Sequence, residues 1–146
     1  MKRHFVSGAY CVNDGKVLLI HHKKLNLWIP PGGHLNDNEL PCEAVIREFK
    51  EETGLDIELI GKQEQVGNVM KLVDPRLIQL DPIGDHEHIN LLYFAKLKDP
   101  NQSIVFNERE TKNIKWFSEE ELDNGEVPEE VIVPAKKAIK ELRGEL

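Results

Sequence analysis

Five glutamates, Glu39, Glu43, Glu48, Glu51 and Glu52, fall within the stretch Gly33 to Leu55, GHLNDNELPCEAVIREFKEETGL. Between them Cys42, Val45, Ile46 and Phe49 recur at three and four residues, which predicts an amphipathic helix from about Leu40 to Thr53 with one buried stripe. Asp37 or Asn38 can cap its start, Pro41 suits the first turn and Gly54 supplies a left-handed stop. Glu48, Glu51 and Glu52 then project from one side, next to the small Ala44. Three adjacent carboxylates repel. Their pKa values rise, or the fold loses stability, unless a divalent cation or a guanidinium compensates them. Arg47, one turn from both Glu43 and Glu51, offsets only part of that charge. Oxygen-only ligands suit hard ions such as magnesium or manganese, which bridge carboxylates to substrate phosphates, whereas zinc prefers nitrogen or sulfur. For glutamates at this spacing alone, a solvated acidic helix is the plainer reading.

The stretch holds more than that spacing. Gly33, Glu39, Arg47, Glu48, Phe49, Glu51, Glu52, Gly54 and Leu55 occupy, place by place, the signature of the Nudix hydrolase family, and the chain resembles that family without departing from the pattern. The resemblance implies an α/β fold, an α/β/α sandwich around a central mixed β-sheet. It also implies divalent-metal-dependent hydrolysis of a nucleoside diphosphate linked to another group, X, of which (d)NTP cleavage to (d)NMP and pyrophosphate is the MutT-like form. Glu48, Glu51 and Glu52 would ligate Mg2+ or Mn2+, and Glu48 or Glu52 would take the proton from the attacking water. Arg47 would orient the glutamate beside it, the carbonyl of Gly32 would be a further metal ligand, and Gly33 and Glu39 would belong to the substrate-binding loop, Glu39 supporting that loop or the outer metal shell. Alternatives are a dinucleotide or nucleotide-sugar pyrophosphatase and a non-catalytic nucleotide-sensing module. The intact carboxylate set favours an enzyme, since a sensor has no need of three carboxylates that repel one another.

Length, charge and composition bound the rest. A chain of 146 residues suits a single domain, 1–146, with a core that needs no cross-links. The net charge of −7 disfavours nonspecific binding to nucleic acid or anionic membrane. The two cysteines, Cys11 and Cys42, stand in no metal-ligand spacing and read as small core residues of a reducing compartment. No apolar run follows Met1-Lys2-Arg3 at signal-peptide length and none nears the roughly 20 residues of a membrane helix, so a cytoplasmic location is expected. The expected partner is a small nucleotide; the oligomeric state, monomer or homodimer, stays open.

Along the chain, Phe5 to Val12 and Val17 to His22 predict a hairpin about the Asn13-Asp14-Gly15-Lys16 turn. His21, His22, Lys23 and Lys24 end its second strand with positive charge able to reach phosphates. Trp28 precedes the Pro30-Pro31-Gly32-Gly33 run, and such a residue serves more often as core than as a base-stacking platform. Strands are expected from Asp56 to Gln65, Gly67 to Val73, His88 to Leu97, Ile104 to Phe106 and Ile114 to Phe117, with a functional loop from about 74 to 87. His86 and His88 have the look of a zinc pair, but no cysteine or third histidine stands at ligand spacing nearby, so His88 is assigned to the substrate mouth. Ser118 and Glu121 form a capping box, and Glu129 to Leu142 reads as the last long helix, kinked or begun at Pro134. Helix glutamates line only one side of a metal cluster, leaving room for a carboxylate from a facing loop; Glu110 and Glu108 rank ahead of Glu87 and Asp85 on resemblance to related enzymes.

Overall fold

The structure, a computed structural model, describes residues 1–144. Strand β1, Lys2–Asn13, runs into β2, Lys16–His22, through a turn in which Asp14 and Gly15 adopt φ of 51° and 74°. Two successive positive φ values give the right-handed twist that a two-residue hairpin needs. Short strands β3, Leu27–Ile29, and β4, Gly32–His34, precede helix α1, Pro41–Thr53. Then come β5, Ile57–Leu59, the hairpin β6, Glu64–Val66, with β7, Val69–Lys71, and the strands β8, Leu77–Ile83, and β9, His86–Leu97. Strand β10, Thr111–Phe117, and helices α2, Glu119–Leu122, and α3, Glu129–Leu142, complete the chain.

Among the described residues eight strands form one sheet, with the path β10-β2-β1-β9-β5 and with β3, β4 and β8 attached to β2, β1 and β9. The sheet is mixed because β1 and β9 pair in parallel from Lys2↔His86 to Cys11↔Ala95, while its other pairings are antiparallel. Central strands buried on both faces read as near-continuous apolar runs, as Val6 to Val12 and Val17 to Ile20 do. Alternation divides them between two cores. Ala9, Cys11, Tyr93 and Ala95 pack under α1 with Val45 and Phe49, whereas Tyr10, Val12, Leu92 and Phe94 pack under α3 with Val131, Ala135 and Ile139. The expected α/β/α sandwich is thus the observed one.

Several local expectations are corrected. The α1 cap is Leu40 rather than Asp37 or Asn38, and the Glu43 carboxylate reaches back to accept the Leu40 N–H at 3.0 Å. Ile46 is exposed, while Ala44 and Glu52 join the buried face. The stretch from 74 to 87 is largely the ordered strand β8, which the Asp81-Pro82 pair had made look like a loop. Proline is tolerated there because β8 pairs only with β9, so the missing N–H lies at an edge. The two strands expected between 56 and 73 survive only as β5 and the exposed β6–β7 hairpin. Ile104 to Phe106 is no strand; Val105 donates its N–H to the Thr53 carbonyl and closes over the C-terminus of α1. Helix α3 has its expected bounds, so of the two readings of Pro134 the one that starts the helix there is excluded: it lies inside.

Candidate active site

A cleft of about 610 Å³ opens where the α3 core ends on the sheet. Its floor continues the side-chain row of Tyr10 and Leu92 toward the start of β1 and β9, through Gly8, Val6, Asn90 and His88. Glu48 and Glu52 reach into it from α1. They do so because the chain in between carries no side chains: a Cβ on Gly33 would lie 2.5 Å from the Glu48 carboxyl carbon, and one on Gly32 would lie 2.2 Å from the Ser7 carbonyl oxygen. The paired glycines of the Pro-Gly-Gly run are therefore the gap through which helix carboxylates meet the cleft.

Arg47 organises the charge on α1. Its Nε and Nη2 clasp both oxygens of Glu39 at 2.8 and 2.9 Å, Nη1 donates to Glu48 at 2.9 Å and to Glu51 at 3.3 Å, and Nη2 also donates to the His34 carbonyl at 3.0 Å. A planar guanidinium suits this divided task, which a lysine could not perform. Glu39 also accepts the Asn36 N–H at 3.0 Å, and the Arg47 hydrogen bonds hold its carboxyl below the usual range. Glu39 thus pins the loop before α1, the supporting role expected of it, while its placement in contact with substrate is corrected: both oxygens are occupied and it does not line the cleft.

Glu52 is only 3% exposed, and its Oε2 has no hydrogen-bond partner among the described residues. Burial first, then the nearby Glu48 charge, push its carboxyl up to about 9 against the pull of the Gly32 N–H. Glu48 is raised as well, by burial before all else, and the Arg47 contact only partly offsets this. An unpartnered buried carboxylate oxygen beside a second raised carboxylate is a donor set that fits a hard divalent cation. Glu51 lies apart from them: its side chain is 55% exposed and rests on Arg47 outside the cleft lining.

Glu110 does line the cleft, and its charge bears on both Glu48 and Glu52. Its strand end is tied in by the Lys23 N–H, which donates to the Glu110 carbonyl at 2.9 Å, while Lys23 Nζ donates to the Glu108 carbonyl. Neither Glu108 nor Glu87 lines the cleft, and Glu87 pairs with Arg3 at 2.9 Å. His22, Lys23, Lys24 and Arg109 stand on the cleft wall. Burial lowers the His22 pKa, so its ring is neutral and its Nδ1 accepts the Leu25 N–H at 3.2 Å. Trp28 is core, the favoured of its two readings, and not a substrate contact: it is 6% exposed, edge-on to Phe117 at 5.0 Å, and absent from the lining, because β3 turns it toward α3.

Sequence reasoning missed Arg109 on the cleft wall and a polar cluster on its floor. Gln79 and Asn90 donate to the two oxygens of Asp81 at 2.7 and 3.0 Å, and the Asn90 Oδ1 is buried without a partner. These side chains meet only because β8 pairs with β9, in a stretch whose turn residues predict a loop. The i, i+2 spacing of Gln79 and Asp81 was the available signal.

With this geometry in view, comparison with known proteins is informative. The family model described as NUDIX domain matches residues 2–142. The chain is 27% identical over 119 residues to the uncharacterized Nudix hydrolase YvcI of Bacillus subtilis (strain 168), covering 82% of this chain and 68% of that one. It is 29% identical over 105 residues to a probable DHNTP pyrophosphohydrolase of Lactococcus lactis subsp. cremoris (strain MG1363), covering 68% of this chain but only 57% of the relative. Among solved structures, a NUDIX-family hydrolase from Clostridium perfringens superposes with a TM-score of 0.84 at 33% identity, over 97% of this chain and 99% of the other. A raised, orphaned carboxylate at the end of a glycine gap thus stands where the family pattern puts its glutamates, and the chain belongs to the Nudix hydrolase family.

Proposed function

We propose that the chain is a magnesium- or manganese-dependent pyrophosphohydrolase that cleaves nucleoside triphosphates, ribo or deoxy, to monophosphate and pyrophosphate. The observation that carries this reading is Glu52, buried with one oxygen unpartnered and ringed by Glu48 and Glu110. Such a carboxylate is costly in an idle or purely sensing site. Glu48, Glu52 and Glu110 would hold the ion, with the Gly32 carbonyl as a further ligand, while the expected ligation by Glu51 is not carried over because its carboxylate rests on Arg47 outside the cleft; bound there, the ion would supply charge against the phosphates and a water of lowered pKa. Glu48 or Glu52 accepts the water proton. Arg47 fixes the Glu48 carboxylate from outside the cleft, and Lys23, Lys24 and Arg109 attract the phosphate tail. Gln79, Asp81 and Asn90 would offer a nucleobase polar contacts, and Leu27 and Ile29, on the β3 side of the same cleft, a hydrophobic wall. The Lactococcus relative, by its name a pyrophosphohydrolase, supports the same bond class.

The working location is the cytoplasm, where nucleotides are abundant; no helix among the described residues is long and apolar enough to cross a membrane. A panel of nucleoside triphosphates, oxidised triphosphates, dinucleotides and nucleotide sugars, each assayed with magnesium and with excess EDTA, tests the proposal. Release of pyrophosphate and monophosphate from a triphosphate, abolished by EDTA, is the expected result. Undiminished turnover in EDTA overturns the metal reading, and turnover confined to dinucleotides or nucleotide sugars overturns the substrate reading.

A further inference from the structure

Four of the six histidines of the chain meet on one patch of the sheet. His4 of β1 is the parallel register partner of His88 of β9, and His86 lies two residues before His88, so these three share a face. His34 of β4 stands opposite Val6, two residues along from His4, and shares it too. The rings lie close: centroids are 4.9 Å apart for His34 and His88, 4.9 Å for His86 and His88, and 5.4 Å for His4 and His34. One ligand-capable atom from each of His4, His34 and His88 falls within 4.8 Å of the other two.

A second observation concerns how these rings are presented. His86 Nδ1 is 2.9 Å from an Asp85 oxygen, so that nitrogen carries the proton and donates it to the carboxylate. Its Nε2 is left with a lone pair, and that atom faces His88 Nε2 at 3.1 Å. Two nitrogens bound to one tetrahedral ion at 2.0 to 2.1 Å stand about 3.3 Å apart. A carboxylate on the far nitrogen of the ring is also how ligating imidazoles are held in the right tautomer. His34 is exposed and belongs to neither core cluster, so hydrophobic packing does not account for the convergence.

We propose that His4, His34, His88 and His86 form a binding site for one borderline divalent ion of the zinc class, bordering the same cleft as the carboxylates of α1 but made of nitrogen donors instead of oxygen. Nitrogen-only ligation selects zinc, cobalt, nickel or copper over magnesium. His4, His34 and His88 supply three converging nitrogens, and His86, whose Nε2 stands 3.1 Å from that of His88 alone, supplies the fourth as the rings close on the ion; four protein ligands then make the ion structural. It ties β4 to β1 and β9 at His34, whose carbonyl also accepts from Arg47, and so braces the glycine gap beside Glu48. The proposal does not depend on the reaction assigned to the cleft.

The test uses the full chain, stripped with chelator and titrated with cobalt(II) in excess magnesium, which occupies carboxylate sites. One equivalent of cobalt should bind with the strong visible absorption of a four-coordinate ion, and zinc should displace it and raise the thermal midpoint. His4→Ala and His88→Ala should each weaken binding at least tenfold, and Asp85→Ala should weaken it by about tenfold, through the orientation of His86. Glu52→Gln should leave the band unchanged. Should either histidine variant fail to fold, His34→Asn, at an exposed position, gives the same reading. No equivalent bound in excess magnesium, a band untouched by the histidine variants, or a band lost in Glu52→Gln each overturns the proposal.

Discussion

Gly33 and the Glu48 carboxylate stand in direct contact, with room between them for hydrogen but not for a methyl group: a Cβ at residue 33 would fall 2.5 Å from the carboxyl carbon and 2.7 Å from Oε2. The neighbour that must yield is the far end of a side chain, so substitution moves the carboxylate rather than the backbone. Gly33→Ala should therefore lower kcat at least tenfold, about 1.4 kcal/mol, while the thermal midpoint in EDTA shifts little. A kcat within twofold of the parent would show that Glu48 is not held at the reacting position.

The raised carboxyl of Glu52 makes stability depend on pH in a direction opposite to that of most carboxylates. With a folded pKa of about 9 against 4.5 in the open chain, the folded state keeps a proton that the unfolded state releases between those values. Stability in EDTA is thus fully present below about pH 4.5 with respect to this group and declines as pH rises toward 9, with a slope of at most about 1.4 kcal/mol per pH unit. Glu52→Gln should remove activity, flatten that slope and raise the thermal midpoint of the metal-free protein at pH 8. Thermal melts from pH 5 to 9 in EDTA check it; a parent slope of zero, or a variant less stable than the parent at pH 8, contradicts the assignment.

Much of this architecture is legible in the residues themselves. The β1–β2 hairpin is written in the Asp14-Gly15 turn, α1 in its stop at Gly54, and α2 in the Ser118 and Glu121 capping box, because each is fixed by local sterics and hydrogen bonds. The site is less so. Glu48 and Glu52 share a face by helical period, but that Glu51 turns to solvent while Glu52 is buried follows from the fit of α1 against the sheet. The histidine patch joins positions 4, 34 and 88, which no spacing rule connects; only the parallel pairing of β1 with β9 makes His4 and His88 neighbours. Strand β8 was concealed by Pro82, a breaker in a central strand but harmless at an edge.

Glu110 and Glu108 separate a cleft carboxylate from a solvated one two residues away. Only Glu110 lines the cleft and bears on the charges of Glu48 and Glu52, while Glu108 contributes its carbonyl to Lys23. Glu110→Ala should lower kcat about tenfold or more and raise the magnesium concentration needed for half-maximal rate, whereas Glu108→Ala should stay within about twofold. Steady-state rates across a magnesium titration distinguish the two. Equal, small effects would mean that α1 and the Gly32 carbonyl suffice to hold the ion.

Asn90 provides the sharpest test of the proposed nucleobase end of the cleft. Its amide nitrogen is committed to Asp81 at 3.0 Å, which fixes the flip of the side chain and leaves Oδ1 as an acceptor, buried and without a partner among the described residues. A buried acceptor in a polar cleft costs stability until a donor reaches it, and the exocyclic amino group of a base is such a donor. In the proposed reading such a contact would lie away from the phosphorus and be made equally in ground and transition states. Its loss should appear in KM rather than kcat. Asn90→Ala should raise KM for amino-bearing purine triphosphates about tenfold, with kcat held within about twofold, and should narrow the preference between them and pyrimidine triphosphates lacking that group. Michaelis parameters for ATP, GTP and UTP decide the matter: a fall in kcat at constant KM, or an equal rise in KM for all three, would place the base elsewhere in the cleft.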